Sequence, residues 1–152
     1  MTMFDHDYKK FPELTNAQMQ LLELTSPHKQ IKEDFFAQVV KVHDGDTVTL
    51  RMTERDFDFP LRFIGIDAPE MNAGGEITRD WLRSKILGRE VQILMDPNNR
   101  VGKYGRLLGR VFHRGMDVGQ EELYLGLAKP FTSRYEGQIP DINKEMRLEQ
   151  WV

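Results

Sequence analysis

The chain has 152 residues, 24 acidic against 21 basic side chains, a net charge of −3 and no cysteine. That length accommodates one domain with a sizeable core. The absence of cysteine excludes disulfides, thiolate metal sites and redox chemistry at sulfur, so any metal must be held by oxygen or histidine, while an isoelectric point near 5.8 argues against broad electrostatic adhesion to nucleic acid and leaves room for a local basic site.

The N-terminal stretch MTMFDHDYKKFPEL lacks a basic start leading into an unbroken apolar run, and no segment approaches the length needed to span a bilayer. The expectation is a soluble, cytoplasmic protein without membrane association, unless an export signal has been removed. Residues 1–34 read as a polar extension packed on the main domain. Within it Thr15 and Gln18 fit a capping box ahead of Met19, Leu21 and Leu22, and Pro27 stops the short helix.

From Phe35 the pattern changes to period two, and the domain proper is expected over residues 35–152. FFAQVVKV leads through the turn HDGD into DTVTLRM, where Val48, Leu50 and Met52 alternate with Thr47, Thr49 and Arg51, as in a half-buried strand. FDFPLRFIGI, REVQILM and, after the loop DPNNRVGKYG, RLLGRVF supply three more strands. Between the third and fourth, EITRDWLRSKILG places Ile77, Trp81, Leu82 and Ile86 at helical spacing with Gly88 as the stop. A second helix is predicted in MDVGQEELYLGL and a third in DINKEMRLEQWV, with Asp141 as its N-cap. Five short antiparallel strands with helices inserted late imply an α+β domain built on a small barrel.

Asp46 closes the first turn, and Asp67 ends the third strand run just before Ala68 and Pro69. Neighbouring strands would bring the two carboxylates together, and with a main-chain carbonyl they form a sparse oxygen-only site suited to Ca²⁺ or Mg²⁺. The plain alternative is that turn aspartates bond their own backbone. Arg62 lies within the third strand and Arg106 follows KYG in a glycine-marked turn. Each alone reads as a structural ion pair, whereas two guanidiniums aimed at one place can grip a phosphate bidentately. His43 reads as a solvent-facing turn residue, Trp81 and Trp151 as packing residues, and Asn98 to Arg100 as a turn.

VVKVHDGDTVTL, LRFIGIDAPE, GKYGRLLGRVF and LGLAK (Leu125 to Lys129) occur in order and with a spacing that resembles the staphylococcal nuclease (thermonuclease) family, over roughly Phe35 to Val152. The resemblance implies a five-stranded OB-type barrel with about three helices and Ca²⁺-dependent hydrolysis of DNA or RNA phosphodiesters, leaving 3′-phosphates. It further implies that Asp46, Asp67 and the carbonyl of Ala68 hold the Ca²⁺. Glu70 would position or deprotonate the attacking water, Arg62 and Arg106 bind the phosphate, and Lys103 and Tyr104 touch a flanking phosphate. Two departures stand out. MNAGGEITRDW after Glu70 is shorter and less basic than the corresponding loop of the family's best-known members, and tyrosines flanking the nucleotide are not evident, leaving Phe131 or Tyr135 as candidates. The competing reading is a catalytically silent module that binds nucleic acid or protein. It predicts loss of some of these site residues, and all of them are present.

Overall fold

The computed structural model describes residues 12–20, 29–102 and 105–131. Lys103, Tyr104, Tyr135, Trp151 and the helix expected after Asp141 lie outside the described residues.

Alternating burial carries the chain into strands where the sequence alternates. β1 (Phe35–Asp44) turns at Gly45 into β2 (Thr47–Arg51), and β3 (Phe59–Phe63) follows. Residues 64 and 65 break the long third run, so its end forms the separate two-residue β4 (Ile66–Asp67). β5 (Glu90–Leu94) and β6 (Leu107–His113) complete the barrel, and β7 (Met116–Asp117) turns back to pair antiparallel with the end of β6.

β1 serves two neighbours. Its first residues pair with β5, from Phe35 opposite Ile93 to Gln38 opposite Glu90. The rest pairs with β2, from Gln38 opposite Arg51 to Asp44 opposite Thr47. Register shifts between Val39 and Lys41 and between Val42 and Asp44 give the local bend and extra twist that a strand turning from one half of a barrel to the other requires. β2 pairs with β3, and β5 with β6, in antiparallel fashion.

The ring closes between β3 and β6, with Leu61 opposite Leu107 and Phe63 opposite Gly109, and this seam is parallel. The expectation of a wholly antiparallel barrel fails here for a topological reason. A closed ring with an odd number of strands cannot alternate direction throughout, so one neighbouring pair must run the same way. The result is an α+β fold on a closed OB-type barrel.

The barrel interior is filled by Val39, Val48, Leu50, Phe59, Leu61, Phe63, Ile93 and Val111, all essentially inaccessible to water. Helix α2 (Gly75–Ile86) packs on β1 and buries Gly75, Thr78, Leu82 and Ile86. Leu82 and Ile86 face inward as expected and Trp81 packs half-buried against the core, whereas Ile77 is 68% exposed. Thr78 takes the inward place because its hydroxyl donates to the carbonyl of Leu127 at 2.6 Å, which satisfies the only polar group its burial would strand. Helix α3 (Val118–Tyr124) starts at Asp117, whose carboxylate accepts the Gln120 N–H at 3.1 Å. β8 (Lys129–Pro130) then pairs with β4.

In the extension, α1 (Asn16–Gln20) begins as its sequence predicts. The Thr15 N–H donates to Gln18 Oε1 at 2.8 Å, and the Gln18 N–H donates to Thr15 Oγ1 at 3.1 Å. Among the described residues no helix is long and apolar enough to cross a membrane.

Candidate active site

The first turn is built by its own side chains. Asp44 Oδ1 accepts the Asp46 N–H at 3.0 Å, a local bond that folds the turn back on itself. Gly45 stands there for lack of space, since a Cβ would lie 2.4 Å from Thr78 Cγ2 and 2.8 Å from Ala68 Cβ. That close approach presses the turn against α2 and against the segment after β4. The Asp46 carbonyl accepts the Phe63 N–H at 2.8 Å, which fixes Asp46 beside the end of β3.

Asp46 is buried, with Oδ1 accepting from the Thr47 hydroxyl at 3.1 Å and Oδ2 from the Ala68 N–H at 2.9 Å. Loss of hydration pushes its pKa up to about 6, with Arg62 and the Ala68 amide pulling it down and Asp44 adding to the rise. Asp67, at the exposed end of β4, is raised by desolvation and then by the Asp46 charge, against the pull of Arg62 and Lys129. The Asp46 charge hinders the ionisation of Asp67, and Asp44 does the same to Asp46, as expected of a place that favours positive charge.

Arg62 lies between them. The pairing of Thr47 with Arg62 places it next to the turn, and its guanidinium is buried. Nη1 donates to the carbonyls of Phe63 at 2.5 Å and Ile66 at 3.0 Å, bracing the bend from β3 to β4. Nη2 faces Asp46 Oδ2 at 3.5 Å and Asp67 Oδ1 at 4.0 Å. Phe131, whose main-chain N–H donates to the Gly65 carbonyl at 3.1 Å, places its ring centroid 5.7 Å from the guanidinium carbon, within the range of a cation–π contact.

Arg106 belongs to the same electrostatic neighbourhood. Its pKa is lowered by desolvation and then by Arg62, against the opposing pull of Asp46 and Asp44. Its Nε is buried without a hydrogen-bond partner among the described residues. Glu70 is exposed at the start of a short 3₁₀ turn, Met71–Ala73, where its carbonyl accepts the Ala73 and Gly75 N–H groups at 2.8 and 2.9 Å. The structure thus brings together Asp46, Arg62, Asp67 and Ala68, places Arg106 within range of their charges, and leaves the Glu70 carboxylate at the surface.

The carboxylates present suit a hard cation that keeps much of its water. Two of them approach one guanidinium nitrogen, and all the donors are oxygen. No group of three or more acidic or histidine side chains is placed to enclose a metal among the described residues, so a closed, all-protein cage is not what these residues build. His43 takes no part: it is exposed, with its ring Nε2 2.6 Å from Thr49 Oγ1.

Glu122 was missed by the strand-and-turn reading. It is fully buried on α3, and neither carboxylate oxygen has a hydrogen-bond partner among the described residues. Its pKa is pushed up to about 9 by desolvation and then by the charges of Asp46 and Asp44. A signal was available, because Glu122 lies one helical turn after the buried Val118. Asn98 to Arg100 is likewise more than a turn, since Arg100 is 3% exposed and ion-paired with Glu13.

A family model described as staphylococcal nuclease homologue matches residues 60–150. The match takes in Arg62, Asp67, Glu70 and Arg106 and begins after Asp46. The probable endonuclease LCL3 of Leptosphaeria maculans is 29% identical over 101 residues, an alignment covering 59% of this chain and 33% of that protein. The chain therefore spans about a third of the length of the relative it matches.

Proposed function

The chain belongs to the family of staphylococcal nuclease homologues, and on that premise we propose that it hydrolyses phosphodiester bonds of DNA or RNA, with Ca²⁺ as cofactor and 3′-phosphates as products. The observation that carries the proposal is the convergence of Asp46, Asp67 and Arg62, with Nη2 of Arg62 within 3.5 and 4.0 Å of the two carboxylates. The charge of Arg106 is felt at the same place. A cluster in which carboxylates lie close together beside two guanidiniums, one of them with an Nε that has no hydrogen-bond partner among the described residues, suits a bound cation and a bound anion together.

Asp46, Asp67 and the Ala68 carbonyl would hold the Ca²⁺, which supplies positive charge to phosphate oxygens. The remaining work falls to the chain's own side chains. A phosphodiester anion repels an incoming nucleophile, and its transition state concentrates further charge on the equatorial oxygens, so Arg62 and Arg106 lower the barrier by gripping those oxygens. Arg62 is pre-organised for this, because its Nη1 bonds to two main-chain carbonyls and the group need not reorganise on binding. Glu70, exposed to solvent, orients a water for in-line attack and accepts its proton. Lys103 and Tyr104 contact a flanking phosphate.

Incubation of the purified protein with single-stranded DNA, duplex DNA and RNA, with Ca²⁺ or with excess chelator, tests the proposal. Cleavage that requires Ca²⁺ and leaves 3′-phosphate ends is the expected result. Binding without cleavage under every condition would make the protein a silent binding module instead.

A further inference from the structure

The extension meets the barrel at the loop that carries Arg106. Glu13 is 2% exposed, and its carboxylate is fully engaged. Oε1 accepts from Arg100 Nη2 at 2.8 Å and from the Ile31 N–H at 3.1 Å, and Oε2 accepts from Arg55 Nη2 at 2.5 Å. Arg100 spends the rest of its guanidinium on the extension too. Nη1 donates to the Leu14 carbonyl at 3.0 Å and to Asn16 Oδ1 at 3.1 Å, and Nε donates to the Ile31 carbonyl at 2.9 Å. Asn16 Nδ2 donates to the carbonyl of Pro97, three residues before Arg100, at 2.9 Å.

The described ends of the loop, Arg100 to Gly102 and Gly105 to Leu108, are tied to each other. The Leu108 N–H donates to the Arg100 carbonyl at 2.8 Å, and the Gly102 N–H donates to the Arg106 carbonyl at 2.7 Å. Among the described residues a further anchor comes from outside the loop. Gly105 adopts φ 71°, a left-handed turn that suits glycine, and its carbonyl accepts the N–H of Glu13 at 3.2 Å. The peptide group immediately before Arg106 is therefore held by the extension. Nε of Arg106 has no hydrogen-bond partner among the described residues, so the backbone bond to the extension is a described constraint on where this side chain starts.

We propose that the N-terminal extension is a working part of the active site, with Glu13 a positioning residue that seats the 100–106 loop and so aims Arg106 at the phosphate. The proposal rests on the reading of Arg106 as a phosphate ligand. A buried ion triple contributes little net stability against its desolvation cost, while the loss of one partner strands the others. Its effect here is geometric: the carboxylate fixes Arg100 at the base of the loop while the adjoining N–H fixes Gly105 near its end.

The test compares Glu13→Gln with the parent in four measurements. These are kcat and KM on a short oligonucleotide, half-saturating Ca²⁺, amide exchange at Gly102 and Leu108 against Val39 and Ile93, and the effect of adding Arg106→Lys. The amide in Glu13→Gln keeps the shape but removes the charge facing two buried guanidiniums. The expected loss in kcat is roughly 10- to 100-fold, the scale of a small misplacement of a reacting group. Half-saturating Ca²⁺ should stay unchanged, exchange should quicken at Gly102 and Leu108 alone, and the loss should nearly vanish in the Arg106→Lys background, because both changes remove one interaction. A folded Glu13→Gln protein with parental kcat overturns the proposal, as do losses that multiply independently. If Glu13→Gln does not fold, Asn16→Ala carries the same comparison through its bonds to Arg100 and Pro97, with a few-fold loss expected and parental kcat and exchange overturning the idea. If the parent cleaves no nucleic acid, the functional reading falls. The amide exchange and the affinity for a 3′,5′-bisphosphorylated nucleotide then decide the positioning role, and parental values of both in the variant overturn it.

Discussion

Replacing Glu122 by leucine removes a fully buried carboxyl whose two oxygens have no hydrogen-bond partner among the described residues. Burial, with Asp46 and Asp44 adding to it, raises the pKa from an ordinary 4.5 to about 9. An acid raised in this way is held protonated by the native state, while the unfolded chain releases its proton as pH passes 4.5. Stability is therefore lost as pH climbs from 4.5 towards about 9, because the native state binds more protons than the unfolded state across that window. At about 1.4 kcal/mol per unit, the cost reaches about 3 kcal/mol at pH 7 and grows by about 4 kcal/mol between pH 5 and pH 8.

Urea unfolding of the parent and of Glu122→Leu at pH 5, 6, 7 and 8 measures this directly. The leucine variant should be the more stable at pH 7, and the gap should widen with pH. Taking the difference between the two proteins cancels the titration of Asp46, which is common to both. Glu122→Gln separates the contributions: it should flatten the pH dependence equally while gaining less, since it keeps polar atoms in the same unpartnered place. A gap that stays constant from pH 5 to pH 8 would refute the reasoning, because the carboxyl would then be no harder to ionise in the native state than in the unfolded chain.

Arg106→Lys keeps the charge but loses the planar fork, so turnover should fall on the order of 100-fold with the thermal midpoint little changed; cleavage kinetics near the parental rate would remove Arg106 from the transition state. Glu70→Gln should retain binding of a bisphosphorylated nucleotide while hydrolysis drops steeply, and calorimetry showing a parallel collapse of affinity would mean that Glu70 organises the site. Gly45→Ala would push a methyl group to 2.4 Å from Thr78 Cγ2 and 2.8 Å from Ala68 Cβ. The turn must move, at a cost of about 1–3 kcal/mol, and Ca²⁺ titration should weaken with it. A parental melting point and parental Ca²⁺ affinity would show that the turn is not pressed on the site.

What was legible in the sequence depended on how local its cause is. The capping box at Thr15 and Gln18 needs only residues three apart, and it formed as read. The alternation in DTVTLRM set the inward faces of Val48 and Leu50 because a pleated strand offers only two sides. In α2 the inward places of Leu82 and Ile86 were legible and that of Ile77 was not, since Ile77 outranks Thr78 in hydrophobicity while the buried Thr78 bonds to Leu127, 49 residues away. Nothing within the helix encodes that partner. The parallel seam was equally silent, for it follows from closing the ring and not from any one strand.

The same distinction divides the site. Asp46, Arg62, Asp67 and Ala68 sit on one meander, where a short turn and a strand register bring Thr47 opposite Arg62, so their convergence follows from neighbouring segments. Arg106 arrives from another part of the chain. Its loop is tied at the base through Arg100 to Glu13, 87 residues earlier, and Glu13 is tied in turn to Arg55, 42 residues later. Ion pairs at such separations leave no periodicity or spacing to detect, and an arginine within NNR looks like any turn residue until its partner is placed. The two guanidiniums proposed to share a phosphate thus lie in different parts of the fold: Arg62 at the bend from β3 to β4, Arg106 beside the Gly105 carbonyl that accepts the Glu13 N–H. Changes in residues 12–16 should therefore disturb phosphate binding while leaving the carboxylate pair intact, whereas changes at Gly45 should do the reverse.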